Sequence, residues 1–278
     1  MIGIVASPRG AYRARVQIVI VTYPGMTALD AIGPYEVLRA LPGADVRFAW
    51  HEPGPITTDS GVLVIGATHA LSECPEPAIV LVPGSGPATA QTAADERLLD
   101  WLRAVHRRTE WTTSVCSGSV ILASAGLLRG LRATSHWMAL PGLTALGALP
   151  QSDQRIVREG KIVTAAGVSA GIDLGLWLAG QIAGEDTAKA IQLMIEYDPQ
   201  PPYDSGHASK ATGAAKREAA AILARDVARF TAREPKAGAR EAVAVPRLAW
   251  KGALDRAHAA GSRIPWRRRS SREAEQEA

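Results

Sequence analysis

The chain has two cysteines in 278 residues, Cys74 and Cys116. Two cannot make a disulfide framework, so a reducing compartment, the cytoplasm, is the simplest reading. Aromatic residues are scarce at 5%. No run of about 18 apolar residues free of charge occurs, so no membrane span and no membrane partner are expected. Metal and nucleotide signatures are missing: there is no H-E-x-x-H, no C-x-x-C and no Walker lysine. No metal or redox cofactor is therefore expected. The opening residues place their basic side chains late and after no apolar core, unlike a signal peptide. Residues 1–15 read as a disordered lead-in.

What is present fits a globular protein. Hydrophobic residues make up 47% and charged residues 21%, within the usual range. The length allows one large core or two domains. The net charge of +4 is uneven: from Lys236 onward ten Lys and Arg face five Asp and Glu, whereas the residues before hold twenty-one against twenty-two. The basic character belongs to the tail, and the main domain carries no electrostatic signal for nucleic acid.

Residues 111–122, WTTSVCSGSVIL, organise the rest. A short buried strand ends at Val115, Cys116 follows, and an apolar-periodic helix begins after Ser117-Gly118. Such a turn puts Cys116 at the carboxyl end of a parallel strand, where ligands bind in open α/β sheets. Unpaired amides and the helix dipole there favour a thiolate. The spacing is that of a nucleophile elbow without its G-x-S-x-G form. Cys116 reads equally as a small buried hydrophobe.

Other stretches supply partners. Residues 16–21, VQIVIV, read as a central parallel strand. After Thr27 a helix carries Asp30 one turn inside, among apolar residues and before Gly33-Pro34, where a bend is expected. Asp30 is either a solvent-facing or capping residue or an acid with a perturbed proton affinity. Residues 79–82, IVLV, form a short strand that stops at Pro83. Gly84-Ser85-Gly86 follows, a loop whose amides can face a pocket. It is a weak phosphate signal and a reasonable anion-stabilising loop. Residues 93–108 read as one surface helix, 131–137 as a strand leading to His136, and 154–158 with 161–165 as a hairpin. Ser169 reads as the N-cap of a helix containing Asp173. Residues 214–233 have strong helix propensity. From 236 onward no clean period remains; this tail, with Trp266-Arg267-Arg268-Arg269, reads as largely disordered and solvated.

These segments, in order from about Val16 to Ser205, resemble the DJ-1/PfpI superfamily. Within it they resemble the isonitrile hydratases. The residues that carry the likeness include Tyr23-Pro24-Gly25, Leu29-Asp30, Pro83-Gly84-Ser85-Gly86, SVCSGSVILASAGLLRG from Ser114, ATSHW from Ala133, AGVSAGID from Ala166, and IQLMIEYDPQPPY ending at Tyr203. The resemblance implies an α/β three-layer sandwich with a mostly parallel central sheet, of the class I glutamine amidotransferase-like type. It divides the chain into the lead-in, a catalytic domain over 16–205, a helix over 206–235 packed on it, and the tail over 236–278.

The resemblance implies Cys116 as nucleophile, Asp30 as acid/base, and a polar lining from Ser117 and the amides of Gly84 and Ser85. His136 matches a histidine near the cysteine in many members but is not the expected base. Asp173 is a secondary candidate, suited to a helix N-terminus or a dimer contact. The implied reaction hydrates an isonitrile to an N-substituted formamide through a thioimidate on Cys116, with no cofactor and water as co-substrate. Cys116 and Asp30 are expected to share one proton. A homodimer is implied. Ser117 stands where peptidase-like members have His, which disfavours a protease, and where hydratases usually have Thr. Three other readings belong beside this one: a glyoxalase- or deglycase-like enzyme, a ligand or oxidation sensor, and a remnant of an AraC-type regulator. The last fits poorly, because no two patterned helix pairs follow Tyr203.

Overall fold

The computed structural model describes residues 15–261. The lead-in up to residue 14 and the tail from 262, including Trp266 to Arg269, lie outside the described residues. Strand β1 (Val16–Val21) is the middle of the fold, paired in parallel with β2 (Ala44–Trp50) on one side and β6 (Ile79–Val82) on the other. Between β2 and β6 come β3 (Gly54–Thr57), β4 (Val64–Ala67) and the two-residue β5 (His69–Ala70). Later strands are β7 (Trp111–Ser114), β8 (Arg132–Ala133), β9 (Leu149–Pro150), β10 (Ile156–Glu159) and β11 (Ile162–Ala165). The main sheet runs β10-β11-β7-β6-β1-β2-β5. Every pair in it is parallel except β10 with β11. β1 and β6 are buried, which is why both read as nearly unbroken β-branched and leucine runs rather than alternating ones.

Helices flank the sheet. In chain order they are α1 (Ala28–Leu38), α2 (Thr89–Ala93), α3 (Glu96–His106), α4 (Gly118–Ser124), α5 (Leu140–Ala145), α6 (Ala170–Ala183), α7 (Glu185–Met194), α8 (Gly213–Arg233) and α9 (Pro235–Gly261). α1 crosses α6 closely: a Cβ on Gly175 would sit 3.3 Å from the Cα of Pro34. Pro34 is buried inside α1 without ending it, so the bend expected there does not break the helix. The helix expected over 93–108 is α3, Glu96–His106, and the shorter α2 precedes it. Asp95 accepts from the amide of Leu98 at 3.1 Å and starts α3 afresh, burying Leu98, Leu99, Leu102 and Val105.

Three further expectations need correction. Residues 131–137 hold only the two-residue β8. Ser169 precedes α6 without a side-chain capping bond; its hydroxyl accepts from Arg155 at 3.2 Å instead. The chain from 236 is not disordered throughout, since α9 occupies Pro235–Gly261. Its composition hid this: a stripe of small residues, with Ala244 and Leu248 among those turned to the body, has too little apolar period to stand out.

α8 and α9 reach back over the carboxyl edge of the sheet. Phe230 is 2% exposed, and its ring lies 2.8 Å from where a Cβ of Gly25 would stand. Leu223 comes as close to Gly86, at 2.7 Å. Arg233 donates to the carbonyl of Ser60 at 2.9 Å.

Candidate active site

The register of the central strands assembles the site. Val82, last in β6, pairs with Ser114, last in β7, and Ile20 of β1 pairs with Leu81. The chain therefore leaves three neighbouring strands at one edge, the edge where parallel sheets place their ligands. β1 leads into α1 and Asp30, β6 into Gly84 and Ser85, and β7 into Cys116 and Ser117.

Cys116 has a φ of 57°, a left-handed conformation that is strained for a residue with a side chain. Its surroundings hold it there. Its amide donates to Ala166 O at 2.7 Å, and its carbonyl accepts from Ser135 Oγ at 3.0 Å and Ser119 Oγ at 3.3 Å. Two glycines permit the close approach. A Cβ on Gly118 would run into the carbonyl oxygen of Val82, and one on Gly84 would sit 2.5 Å from Ser117 N and 2.9 Å from the Cβ of Cys116. The turn and the 83–86 loop are thus pressed together with no space for a methyl group.

Asp30 is fully buried. Its Oδ2 accepts from the amide of Gly84 at 2.8 Å, and the carbonyl of Gly84 accepts from Thr27 N at 2.9 Å. The first turn of α1 therefore grips Gly84 from both sides. Oδ1 makes no hydrogen bond of ordinary geometry among the described residues, an arrangement that is costly unless a ligand or a proton answers it. Burial pushes the Asp30 carboxyl up to about 8, opposed by the Gly84 amide and by the Cys116 thiol beside it. The shift favours the protonated carboxyl at pH 7.

The thiol of Cys116 is likewise pushed up, first by burial and then by Asp30, with Ser117 pulling the other way. Two influences meet at this thiol: the helix terminus favours the thiolate, and removal of the sulfur from water acts against it, opposing the dipole of the seven-residue α4. Burial thus acts on both members of the pair in the same sense, against the charged form of each.

The amides of Gly84 and Ser85 do not form an open polar lining. Gly84 N is taken by Asp30, and Ser85 N donates to Ser117 Oγ at 2.9 Å. The Ser85 hydroxyl donates to Gly25 O at 2.5 Å and accepts from Ala88 N at 2.9 Å. Both residues build the frame that holds Asp30 and Ser117.

His136 is half-buried. Its Nδ1 accepts from Met138 N at 3.4 Å, and burial lowers its proton affinity. It is not among the groups that shift the thiol. Asp173 is paired with Arg155 and does not join the site. Neither belongs to the Cys116–Asp30 pair.

Sequence reasoning missed several contributors. Tyr23, fully buried, donates to Pro83 O at 3.0 Å and steadies the loop. Thr27 donates to Asp59 Oδ2 at 2.6 Å, and the charge of Asp59 adds to the rise at Asp30. Thr89 donates to Ser85 O at 2.6 Å and lies 2.8 Å from Ser117 Oγ. Only Tyr23 carried a signal, two residues past the end of β1 and within the Tyr23-Pro24-Gly25 stretch that carries the family likeness. Among the described residues no three His, Cys, Asp or Glu side chains gather as a metal-ligand set.

The chain is 41% identical over 203 residues to the isonitrile hydratase of Pseudomonas putida, covering 73% of this chain and 88% of that one. It is 33% identical to the HTH-type transcriptional regulator CdhR of Pseudomonas aeruginosa, over 59% of this chain but only 50% of the regulator. Among solved structures, a ThiJ/PfpI family protein from Pseudomonas syringae superposes with a TM-score of 0.71 at 35% identity, covering 85% of this chain and 97% of that one. The sequence profile of the DJ-1/PfpI family matches residues 16–181, which contain every strand of the main sheet and both members of the buried acid–thiol pair: the chain belongs to the DJ-1/PfpI family.

Proposed function

We infer that the protein hydrates an isonitrile to the N-substituted formamide, with Cys116 as nucleophile and Asp30 as the proton carrier. The observation that carries the reading is the buried Asp30 carboxyl, fixed through one oxygen, without a hydrogen bond of ordinary geometry at the other among the described residues, and pushed by burial toward its protonated form beside a strained cysteine. The likeness to the Pseudomonas putida isonitrile hydratase, which extends over 88% of that enzyme, supports it. The regulator reading has weaker support, since only half of CdhR is matched.

The chemistry suits a neutral pair. An isonitrile, R–N≡C, carries a lone pair on its terminal carbon. Asp30, as the acid, gives its proton to that carbon, and the Cys116 sulfur bonds to the same carbon while its own proton passes to the Asp30 carboxylate. The product is a thioimidate, R–N=CH–S–Cys116, and Asp30 is again an acid. A water then adds to the carbon; Asp30 protonates the nitrogen and takes a proton from the water, giving R–NH–CH(OH)–S–Cys116. Collapse breaks the C–S bond, moves the hydroxyl proton to sulfur through Asp30, and releases R–NH–CHO. A carboxyl already ionised at pH 7 could not begin this cycle, so the upward shift has a use in the first step.

Ser117 steadies the sulfur, and Gly84 and Ser85 act as framework. A homodimer in the cytoplasm completes the reading. The family likeness and the exposed Leu193 and Met194 at the end of α7 support the dimer. The two unpaired cysteines support the compartment. The test is turnover of a bulky alkyl isonitrile, followed as loss of substrate and appearance of formamide, beside Cys116→Ala and Asp30→Ala. Formamide from the wild type and none from either variant is expected; full turnover by Cys116→Ala would exclude the covalent route.

A further inference from the structure

Between α9 and the body lies a cavity of about 700 Å³, a size that suits a small organic ligand. One wall is α9. Ala237, Arg240, Ala244 and Arg247 recur at three- and four-residue spacing and so share the face of that helix that borders the cavity. The two alanines are too short to fill the space in front of them. The facing wall comes from Pro24 after β1, from Trp50 at the end of β2, and from the junction of α2 and α3. Ring contacts hold the Trp50 indole in place, with Tyr23 at 6.0 Å and His51 at 4.2 Å, so a flat apolar surface is already formed. Neither Cys116 nor Asp30 lines this cavity.

The charges around it are unevenly answered. The carboxylate in the wall is Asp95, and both its oxygens are taken: Oδ1 accepts from Leu98 N at 3.1 Å, and Oδ2 meets His51 Nε2 at 2.6 Å. Glu241, next to Arg240 in the chain, turns to α2 and accepts from the amides of Ala90 at 2.9 Å and Gln91 at 2.6 Å. Arg240 and Arg247 are exposed and make no ion pair and no side-chain hydrogen bond among the described residues. One exposed arginine of this kind is ordinary, because water solvates it. Two on one helix face, opposite a fixed indole and with the wall's own carboxylate engaged, make a hollow that is both apolar and positively charged.

We propose that this cavity binds a small organic carboxylate with a flat apolar body, the carboxylate held by Arg240 and Arg247 and the body laid against Trp50. The guanidinium fork matches the two oxygens of a carboxylate, and an aromatic face takes a flat apolar group. Neither an isonitrile nor a formamide group carries a negative charge, so the site serves a ligand other than the substrate and product of the proposed reaction, and it does not depend on that reaction. A bound carboxylate ties α9 to the ends of β1 and β2, and so steadies a helix that few side chains attach.

The test is calorimetric titration of the full chain with cinnamate, beside cinnamamide, which keeps the body and lacks the charge, and acetate, which keeps the charge and lacks the body. Saturable binding of cinnamate is expected, at least about tenfold tighter than either control, the effect of one charge-assisted contact. Arg240→Gln and Arg247→Gln lie on an exposed face, where substitution costs folding little, and each should weaken cinnamate about tenfold. Ala237→Leu, which fills the hollow, should abolish binding. Cys116→Ala should bind as the wild type does. As a second readout, cinnamate should raise the thermal unfolding midpoint of the wild type and leave that of the doubly substituted Arg240→Gln, Arg247→Gln chain in place. Absence of saturable cinnamate binding would overturn the proposal. So would equal binding of cinnamamide, which would remove the role of charge, or of acetate or inorganic phosphate, which would remove the role of the apolar wall. Undiminished binding in the doubly substituted chain would place the ligand elsewhere and overturn it as well.

Discussion

The cysteine turn and the C-terminal helices meet at the same site but are built in opposite ways. The turn is held by backbone: strand register, amide–carbonyl bonds and two glycines that leave no space for a side chain. α8 and α9 are held by a few side chains, chiefly Leu223, Phe230 and Glu241, on otherwise exposed helices. Backbone packing of the first kind tolerates almost no change, because a dense interior cannot absorb an extra methyl group. Attachment of the second kind can be removed one anchor at a time, and each loss should be graded.

The largest contrast is chemical. Cys116→Ala should lower turnover by at least about a thousandfold, since it removes the sulfur that bonds to the substrate carbon. It should change stability little, because it removes one small buried atom. Steady-state kinetics beside thermal unfolding checks both halves.

Next is Asp30→Asn, expected to cost roughly 10²- to 10⁴-fold in kcat by removing the proton carrier. Its stability effect has the opposite sign. The folded carboxyl is raised from 3.8 to about 8, so the native state holds a proton that the unfolded state gives up. Its stability is fullest below the unfolded value and falls as pH rises toward 8. The asparagine variant should therefore melt higher than the wild type at pH 8, by the equivalent of a few kcal/mol, with the gap closing near pH 4. In the wild type, kcat/KM should fall as pH rises through about 8 and Asp30 loses its proton. A profile flat to pH 10 would contradict the role given to it.

Much of this was legible beforehand, for a physical reason in each case. β1 and β6 are buried, so their sequences are continuous runs of Val, Ile and Leu. The turn at Cys116 showed itself because a strand, a cysteine and Ser-Gly followed one another without a gap. Asp30 stood out as an acid among apolar residues. What escaped notice depended on distance along the chain. Nothing near Gly84 announces that its amide will be taken by Asp30, or that Ser85 N will be taken by Ser117. The loop was read as open because its glycines were seen and its partners were not. The thiol is a case of the same kind: a dipole can be read locally, whereas the burial that opposes it comes from the whole fold. α9 was missed because alanine contributes little to a hydrophobic period and Pro246 interrupts it.

Smaller effects sharpen the same comparison. Phe230→Ala should cost about 3 kcal/mol, as expected for deleting a buried ring, seen as a lower denaturant midpoint. Gly118→Ala should cost about 1–3 kcal/mol by overpacking and should also slow turnover, because the added methyl moves α4 away from the carbonyl of Val82. Loss of stability without loss of turnover in Gly118→Ala would mean that the turn is less tightly determined than its contacts suggest. Least of all should follow from Asp173→Asn. Its exposed pair with Arg155 is worth at most about 1 kcal/mol, and turnover should stay within twofold of the wild type, about 0.4 kcal/mol in the barrier.

The most direct test of the acid–thiol pair is the intact mass of the full chain, quenched in acid during turnover of a bulky alkyl isonitrile. A mass increase equal to that of the substrate, mapped to Cys116 and enriched in a variant slowed in the water step, is the predicted result. Formamide production at the wild-type rate with Cys116 unmodified at every time sampled, and undiminished in Cys116→Ala, would contradict it.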